Sequence, residues 1–231
     1  MWVHSVKTDH QGYVVRFKAR LVTLVNYQRP GVDFHETIAP VARMLSVRLL
    51  VGLAARLGLQ VYGGGINAAY LNARLQIQQY LHSIDGYPCE INGHMYVVLK
   101  ALYVLQQSGR EWNSELNQRL GEHGYQQSLT EPCLYYRFKG DTIMYVLVYV
   151  DDILVATNNE QCKKELFEEL DKVYGIKDQG LLKEYLGIEI EQTTEHIVIR
   201  LSKYAQDILE IFFYYSEAHA VGIPMEVNAQ F

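Results

Sequence analysis

An α+β fold of antiparallel hairpins with helices packed on one face is what this sequence predicts, and three observations predict it. Short apolar, β-branched runs recur in pairs about turn residues, most clearly Thr142 to Val148 and Ile153 to Ala156, the pattern of strands joined by tight turns. Apolar stripes at helical spacing begin near residues 45, 108 and 160. The chain has 231 residues, 49% of them hydrophobic and 18 of them tyrosine, which suits one large or two small folded domains with a substantial core.

Taken in order, Trp2 to Val6 reads as a strand, Asp9 to Gly12 as a turn, and Tyr13 to Val25 as the returning strand. Lys18 and Arg20 lie two apart and share one strand face, either gripping a triphosphate or simply facing water. Pro30-Gly31 marks a turn and Ile38 to Val41 a non-helical entry. Residues 45–59 predict a helix with Val47, Leu50, Val51, Ala54 and Leu57 inward and Gly58 at its end. Gly63-Gly64-Gly65 follows, weakening a strand and permitting close backbone approach. No Gly-Lys-Ser/Thr ending follows it, so it is a poor phosphate cradle.

Residues 76–87 are irregular in pattern, with a turn at Asp85-Gly86, and Met95 to Leu99 reads as a short strand. Ser108 to Glu111 has the form of a capping box ahead of a helix carrying Trp112, Leu116 and Leu120. Leu134 to Phe138 is a strand, and Lys139-Gly140-Asp141 turns into the central hairpin. Asn158 or Asn159 caps a helix to about Tyr174, with Cys162, Leu166, Phe167, Leu170 and Val173 inward and its lysines outward. Lys177 to Gly180 reads as a loop, Tyr185 to Glu191 and His196 to Leu201 as a second hairpin, and Lys203 to Phe213 as a last helix.

Net charge is −5, which by itself argues against nucleic acid. Its distribution is uneven: residues 1–60 hold eight cations against three carboxylates, so a basic first quarter could meet phosphate. Chance asymmetry of solvated faces is the plain alternative. Cys89, Cys133 and Cys162 are widely spaced and lack a zinc-ligand pattern, which reads as reduced thiols in an intracellular protein. No apolar run is long enough to span a bilayer, so no membrane partner is expected.

The stretch that organises the chain is Tyr149-Val150-Asp151-Asp152. Two adjacent carboxylates at the tip of an apolar hairpin repel one another and lose hydration, so a cation is expected beside them. A pair of Mg²⁺ ions shared with substrate phosphates is the natural candidate; an acidic turn in water is the plain alternative.

The order of pieces resembles the reverse transcriptase (RNA-dependent DNA polymerase) domain of Ty1/copia-type retrotransposons over almost the whole chain. The matching stretches are Lys18 to Val22, Ala39 to Met44, Ala69 to Asn72, Leu102-Tyr103, Arg110 with Trp112, Pro132 to Tyr135 (preceded by Glu131 where the family usually has Asp), Tyr149 to Asp152, Tyr185 to Glu189 and Pro224-Met225. The resemblance implies a right-hand polymerase fold: fingers from residues 1–60 and 74–110, palm from 61–73 and 111–200, and an incomplete thumb beginning in 201–231. It implies RNA or DNA template with primer and deoxynucleoside triphosphates as partners, and two Mg²⁺ ions at Asp151 and Asp152. Lys18, Arg20, Tyr70, Tyr103 and Gln107 fall where the family contacts the incoming nucleotide, Tyr70 where an aromatic ring excludes a ribose 2′-hydroxyl. Leu186 and Gly187 fall at the primer grip. The chain reads as part of a polyprotein, or a gene derived from one, in the cytoplasm or nucleus.

Departures from the pattern fall on functional positions. The family's first catalytic Asp is replaced by Gly65, and no acidic residue lies between Glu36 and Asp85. Val104 replaces a glycine, Gln106 a lysine and Gly109 a proline, while Leu24 and Val25 replace a basic-Gly pair. Weak or absent polymerase activity is therefore expected, the alternative being a non-catalytic remnant that binds nucleic acid or protein.

Overall fold

The structure, a computed structural model, describes residues 1–8, 13–23, 25–91 and 93–211. The expectations for Asp9 to Gly12, Leu24, Phe213 and Pro224-Met225 lie outside these residues. The chain divides into two compact units, Met1–Leu181 and a second from Leu182 onward.

The first unit is built on a six-stranded sheet in the order β10-β3-β9-β8-β7-β6. Its strands are β3 (Gln60–Ile66), β6 (Gln126–Gln127), β7 (Leu134–Lys139), β8 (Thr142–Tyr149), β9 (Asp152–Thr157) and β10 (Ile176–Leu181). Every neighbouring pair is antiparallel. Two further hairpins join β1 (Trp2–Thr8) to β2 (Val14–Leu21) and β4 (Arg74–Leu81) to β5 (Tyr96–Lys100). The helices of this unit are α1 (Met44–Leu57), α2 (Ser108–Glu122) and α3 (Glu160–Tyr174).

Strand alternation assigns the two sheet faces. Met144, Val146 and Val148 of β8, with Ile153 and Val155 of β9, join Trp112, Leu116 and Leu120 of α2 and Leu166, Phe167 and Leu170 of α3 in one buried core. Leu147, Leu154, Ala156 and Val61 point the other way and are just as buried. Helix α1, which packs on β3, β8 and β9, supplies Val47, Leu50, Val51 and Ala54 to that side. The expectation of helices on one face thus holds for α2 and α3, and α1 covers the other. Each fully buried Leu or Ile contributes about 1.5–3 kcal/mol of transfer free energy.

Helix ends follow local chemistry. Gly58 closes α1 at φ 65°, its N–H bonded to Ala54 O, and Ser46 donates to the Glu131 carboxylate, tying the first turn of α1 to the loop before β7. Asn159 caps α3, its side chain accepting from Gln161 and Cys162 N–H.

Several expectations need correction. Ser108 lies inside α2 and its hydroxyl donates to Leu102 O at 2.6 Å, so no capping box forms. Residues 76–81 are ordered as β4; their alternation is blurred because an inward position is Gln79, whose amide is satisfied by Asp33 O at 2.7 Å. Lys177 to Gly180 belong to edge strand β10, paired with the glycines of β3. Leu57 and Val173 are exposed. Lys163 is buried instead of outward, because Asp178 of β10 meets its ammonium at 2.5 Å.

The second unit holds β11 (Glu184–Tyr185), β12 (Ile188–Gln192) and β13 (Ile197–Arg200) in one antiparallel sheet, followed by α4 (Ser202–Ile211). Leu186 (φ 49°) and Gly187 (φ 80°) form the two-residue turn between β11 and β12, so Tyr185 to Glu191 is a turn flanked by strands and not one strand.

Candidate active site

The β8–β9 hairpin is closed by the pair Tyr149 and Asp152, leaving Val150 and Asp151 as the two-residue turn. Val150 sits at φ 57°, a region that a β-branched side chain enters only under constraint. That constraint is visible. The Trp112 indole N–H donates to Val150 O at 2.7 Å, and Ile66 N–H donates to Asp151 O at 2.7 Å. Helix α2 and strand β3 thus each pin one carbonyl of the turn. Asp151 is exposed and Asp152 half-buried. Burial, and then the neighbouring Asp151 charge, hold the Asp152 carboxyl above its ordinary pKa.

Gly65 is the ladder partner of Asp152. A Cβ placed on it would stand 4.0 Å from Asp152 Oδ1 and 3.4 Å from Gln179 Nε2, with nothing closer. Gly64 differs: a Cβ there would come within 2.8 Å of Phe167 Cζ and 2.9 Å of Ile176 Cδ1. So Gly64 is required by the approach of α3, whereas residue 65 faces the turn with room for a side chain.

Cations of β2 and phenols from the segments after β3 and β5 stand near the turn. The Arg20 guanidinium lies over the Tyr103 ring at 5.0 Å, and the Tyr103 and Tyr70 rings are 5.2 Å apart. The phenols of Tyr70 and Tyr103 are pushed up in pKa by burial and then by the Asp151 charge. Lys18 is held below its ordinary value by burial and by Arg20, with Asp151 acting in the opposite sense. Asp151, Lys18, Arg20, Tyr70 and Tyr103 therefore share one electrostatic neighbourhood. Arg20 Nε is buried there with no hydrogen-bond partner. Nearby, Val104 holds φ 79°.

Two other sequence candidates have different surroundings. The buried Gln107 amide accepts from Gln28 Nε2 at 3.1 Å and donates to Asp33 O at 3.3 Å, so both of its ends are bonded to the 28–33 loop. Leu186 and Gly187 lie in the second unit, at the turn already described. The sequence places Trp112 on a helix stripe and in the family pattern but assigns it no role under the turn; a buried indole N–H that must find an acceptor is the signal for that role. It gave no hint of Gln179 beside Gly65.

The carboxylates present do not suit two Mg²⁺ ions. Among the described residues no group of three or more His, Cys, Asp or Glu side chains is arranged to hold a metal. Asp178 is paired with Gly64 on the ladder, and its carboxylate is turned to Lys163 of α3.

Comparison with known proteins decides the family. The model of the reverse transcriptase (RNA-dependent DNA polymerase) family matches residues 1–227. The chain belongs to the reverse transcriptase family. This reverse transcriptase domain is similar to the retrovirus-related Pol polyprotein from transposon TNT 1-94 of Nicotiana tabacum, 33% identical over 215 residues that make up 91% of this chain and 16% of the relative. It is also similar to the Pol polyprotein from transposon RE2 of Arabidopsis thaliana, 31% identical over 210 residues covering 90% of this chain and 14% of that protein. The chain thus spans 14–16% of the length of these relatives. The resemblance to Ty1/copia-type reverse transcriptases is borne out, and with it the α+β architecture of mostly antiparallel sheets. Among the described residues no helix is long and apolar enough to cross a membrane.

Proposed function

We propose that this reverse transcriptase domain engages a primed RNA or DNA template and a deoxynucleoside triphosphate, yet synthesises DNA several orders of magnitude more slowly than a polymerase with an intact set of carboxylates. The observation that carries this reading is Gly65 opposite Asp152. In the right-hand arrangement, residues 1–60 and 74–110 act as fingers, 61–73 and 111–200 as palm, and 201–231 begin the thumb.

On this reading Lys18 and Arg20 neutralise the triphosphate, and the unpartnered Nε of Arg20 supports it. Tyr70 and Tyr103, whose rings lie 5.2 Å apart and tilted by 50°, wall the sugar, Tyr70 on the side of a 2′-hydroxyl. Asp151 and Asp152 are the groups toward which a divalent cation would be drawn, but two carboxylates on one turn leave one side of the site without a ligand. Metal-centred charge stabilisation supplies several kcal/mol of barrier reduction, and each 1.4 kcal/mol, roughly, is tenfold in rate. A loss of several powers of ten follows from that missing ligand.

The second reading, a domain that keeps the fold and binds nucleic acid or protein without synthesis, is favoured by Val104, whose left-handed backbone suits the glycine it replaces. Primer extension tests both. Wild type, Gly65→Asp and Gly65→Asp/Val104→Gly are compared in Mg²⁺ and Mn²⁺. The proposal expects trace product from wild type, abolished by Asp151→Asn, and a large gain with Gly65→Asp. Brisk wild-type synthesis that Gly65→Asp does not improve defeats it, and complete absence of product from all three favours the second reading.

A further inference from the structure

A cavity of about 720 Å³ lies in the first unit, between strand β4 and the end of β2 with the segment that follows it. Lys18, Arg20, Tyr70, Tyr103 and the Asp151-Asp152 turn do not line it, so it is separate from the candidate active site. A space that large is no packing defect. Protein interiors leave few voids bigger than one water, whereas sites for small molecules run from about 300 to 1,000 Å³. Its two sides are tied together by amides: Gln79 of β4 donates to Asp33 O at 2.7 Å and accepts from Gln28 Nε2 at 3.3 Å. The cavity is therefore built before any ligand arrives, which lowers the cost of binding one.

The lining sets the chemistry of an occupant. Leu21, Val22, Leu81 and Leu105 give it apolar walls. Tyr27 and Tyr80 line it as well, yet they are 75% and 57% exposed, which puts both rings at its mouth. A flat aromatic molecule gains contact with such rings beyond the area it buries. With histidine neutral, the charged side chains lining it among the described residues are Arg29 and Asp33. These two cancel, since Arg29 N and Nε both donate to Asp33 Oδ2. An ion entering the cavity would thus lose hydration without gaining a counter-charge. One polar group is left over. Thr23 lines the cavity, and its buried hydroxyl has no hydrogen-bond partner among the described residues, a costly state for a buried polar group. Rotation about its Cα–Cβ bond would offer that hydroxyl to a ligand.

We propose that this cavity is a binding site for an uncharged, flat aromatic molecule bearing a hydrogen-bonding group, with Thr23 as its polar anchor and the rings of Tyr27 and Tyr80 against its face. The site needs neither a divalent ion nor a template, and it stands whatever the active site proves to do.

The test uses the full 231-residue chain in EDTA at about pH 8, with 2-naphthamide as the probe. Ligand-observed NMR gives its affinity, and methyl spectra of the protein give its place. Millimolar binding or tighter is expected for a molecule of this size, with shifts centred on the methyls of Leu21, Val22, Leu81 and Leu105. Tyr27→Ala and Tyr80→Ala each weaken it about threefold or more; both rings stand largely in water, so neither change should unfold the protein. Thr23→Val keeps the side-chain shape, weakens binding about threefold and leaves the melting temperature equal or higher. Two analogues bind about tenfold more weakly or worse: cyclohexanecarboxamide, which keeps the amide without the flat ring, and 2-naphthoate, which keeps the ring but is charged. Saturating oligothymidylate leaves the probe in place. The proposal is overturned if 2-naphthamide does not bind, if its shifts centre elsewhere, or if any of the three substitutions leaves its affinity unchanged. It is overturned equally if either analogue binds as well, or if the oligonucleotide displaces the probe, which would make the cavity part of a nucleic-acid path.

Discussion

Gly65 stands directly opposite Asp152 in the β3–β9 ladder, and a Cβ on residue 65 would lie 4.0 Å from Asp152 Oδ1. A carboxylate there would share a cation with the turn, and the strand would not resist it, since the nearest atom is the movable Gln179 amide at 3.4 Å. The adjacent Gly64 has no such freedom. The tripled glycine thus joins a packing requirement at Gly64 to an open position at Gly65.

Gly65→Asp is expected to fold and to become responsive to divalent ions. Three carboxylates in one place repel in chelator, so its melting temperature should fall below wild type by a few degrees, the equivalent of about 1 kcal/mol. Millimolar MgCl₂ should restore it through preferential binding to the folded state, while wild type responds weakly or not at all. Thermal melts with and without the ion check this. A wild type stabilised as strongly as the variant would show that Gly65 costs the site nothing.

Asp152→Asn should be more stable than wild type at pH 7. Burial, then Asp151, raises the Asp152 pKa in the folded state, so the ionised form carries a penalty above that value. Below the ordinary Asp value of 3.8 the carboxyl is protonated in both states and the penalty is gone. The advantage of Asn should therefore shrink as pH falls through that window. Water reaches about half the group, so the gain stays under about 1 kcal/mol. Urea unfolding at pH 7 and pH 3 reads it.

Val104→Gly should also stabilise, for a backbone reason. Residue 104 is held at φ 79° with its side chain half in water, so valine pays about 1–2 kcal/mol of left-handed strain and loses little packing when removed. Glycine's greater freedom in the unfolded chain offsets 0.5–1 kcal/mol of that, roughly. A net gain of up to about 1 kcal/mol, seen as a higher urea midpoint with an unchanged slope, is expected. Val15→Gly, in the extended β2, should shift the midpoint the other way.

What the sequence revealed and what it hid have separate physical causes. The three helices of the first unit were legible because their apolar stripes repeat every three to four residues, and the Asp151-Asp152 turn because carboxylates have no place at the tip of an apolar hairpin. Lys163 was read outward because a lysine on a helix normally is; only the fold brings Asp178 to it, from a strand that Gly180 disguised as a loop. The glutamines of β4 hid its alternation, since an amide satisfied by a loop carbonyl can replace an apolar inward residue. At the candidate site, the residue types and their order were in the chain. The pinning of the turn by Trp112 and Ile66 and the place of Gln179 required the ladder register.

Lys163 and Asp178 should prove unequal under substitution. The Lys163 ammonium is buried, 2.5 Å from Asp178 Oδ2 and 4.9 Å from the ring centres of both Tyr62 and Phe167, while Asp178 is half in water. Asp178→Asn strands a cation among apolar walls and should cost about 3 kcal/mol, the lower end for a broken buried pair because water reaches the vacated side. Lys163→Met places a thioether of similar length on the same two rings and leaves Asp178 its 2.8 Å bond from Gly180 N–H; it should be close to neutral. Burial alone would raise the Asp178 carboxyl, but the hydrogen bonds from Lys163 and Gly180 outweigh it and carry the folded pKa below the ordinary 3.8. A depressed carboxyl stabilises above its unfolded value and loses that contribution as pH falls through the folded one. Wild type should therefore lose stability between about pH 5 and pH 2 by more than Asp178→Asn does. Equal costs for the two single variants, or parallel acid profiles, would mean that the aromatic rings and not the carboxylate keep the lysine inside.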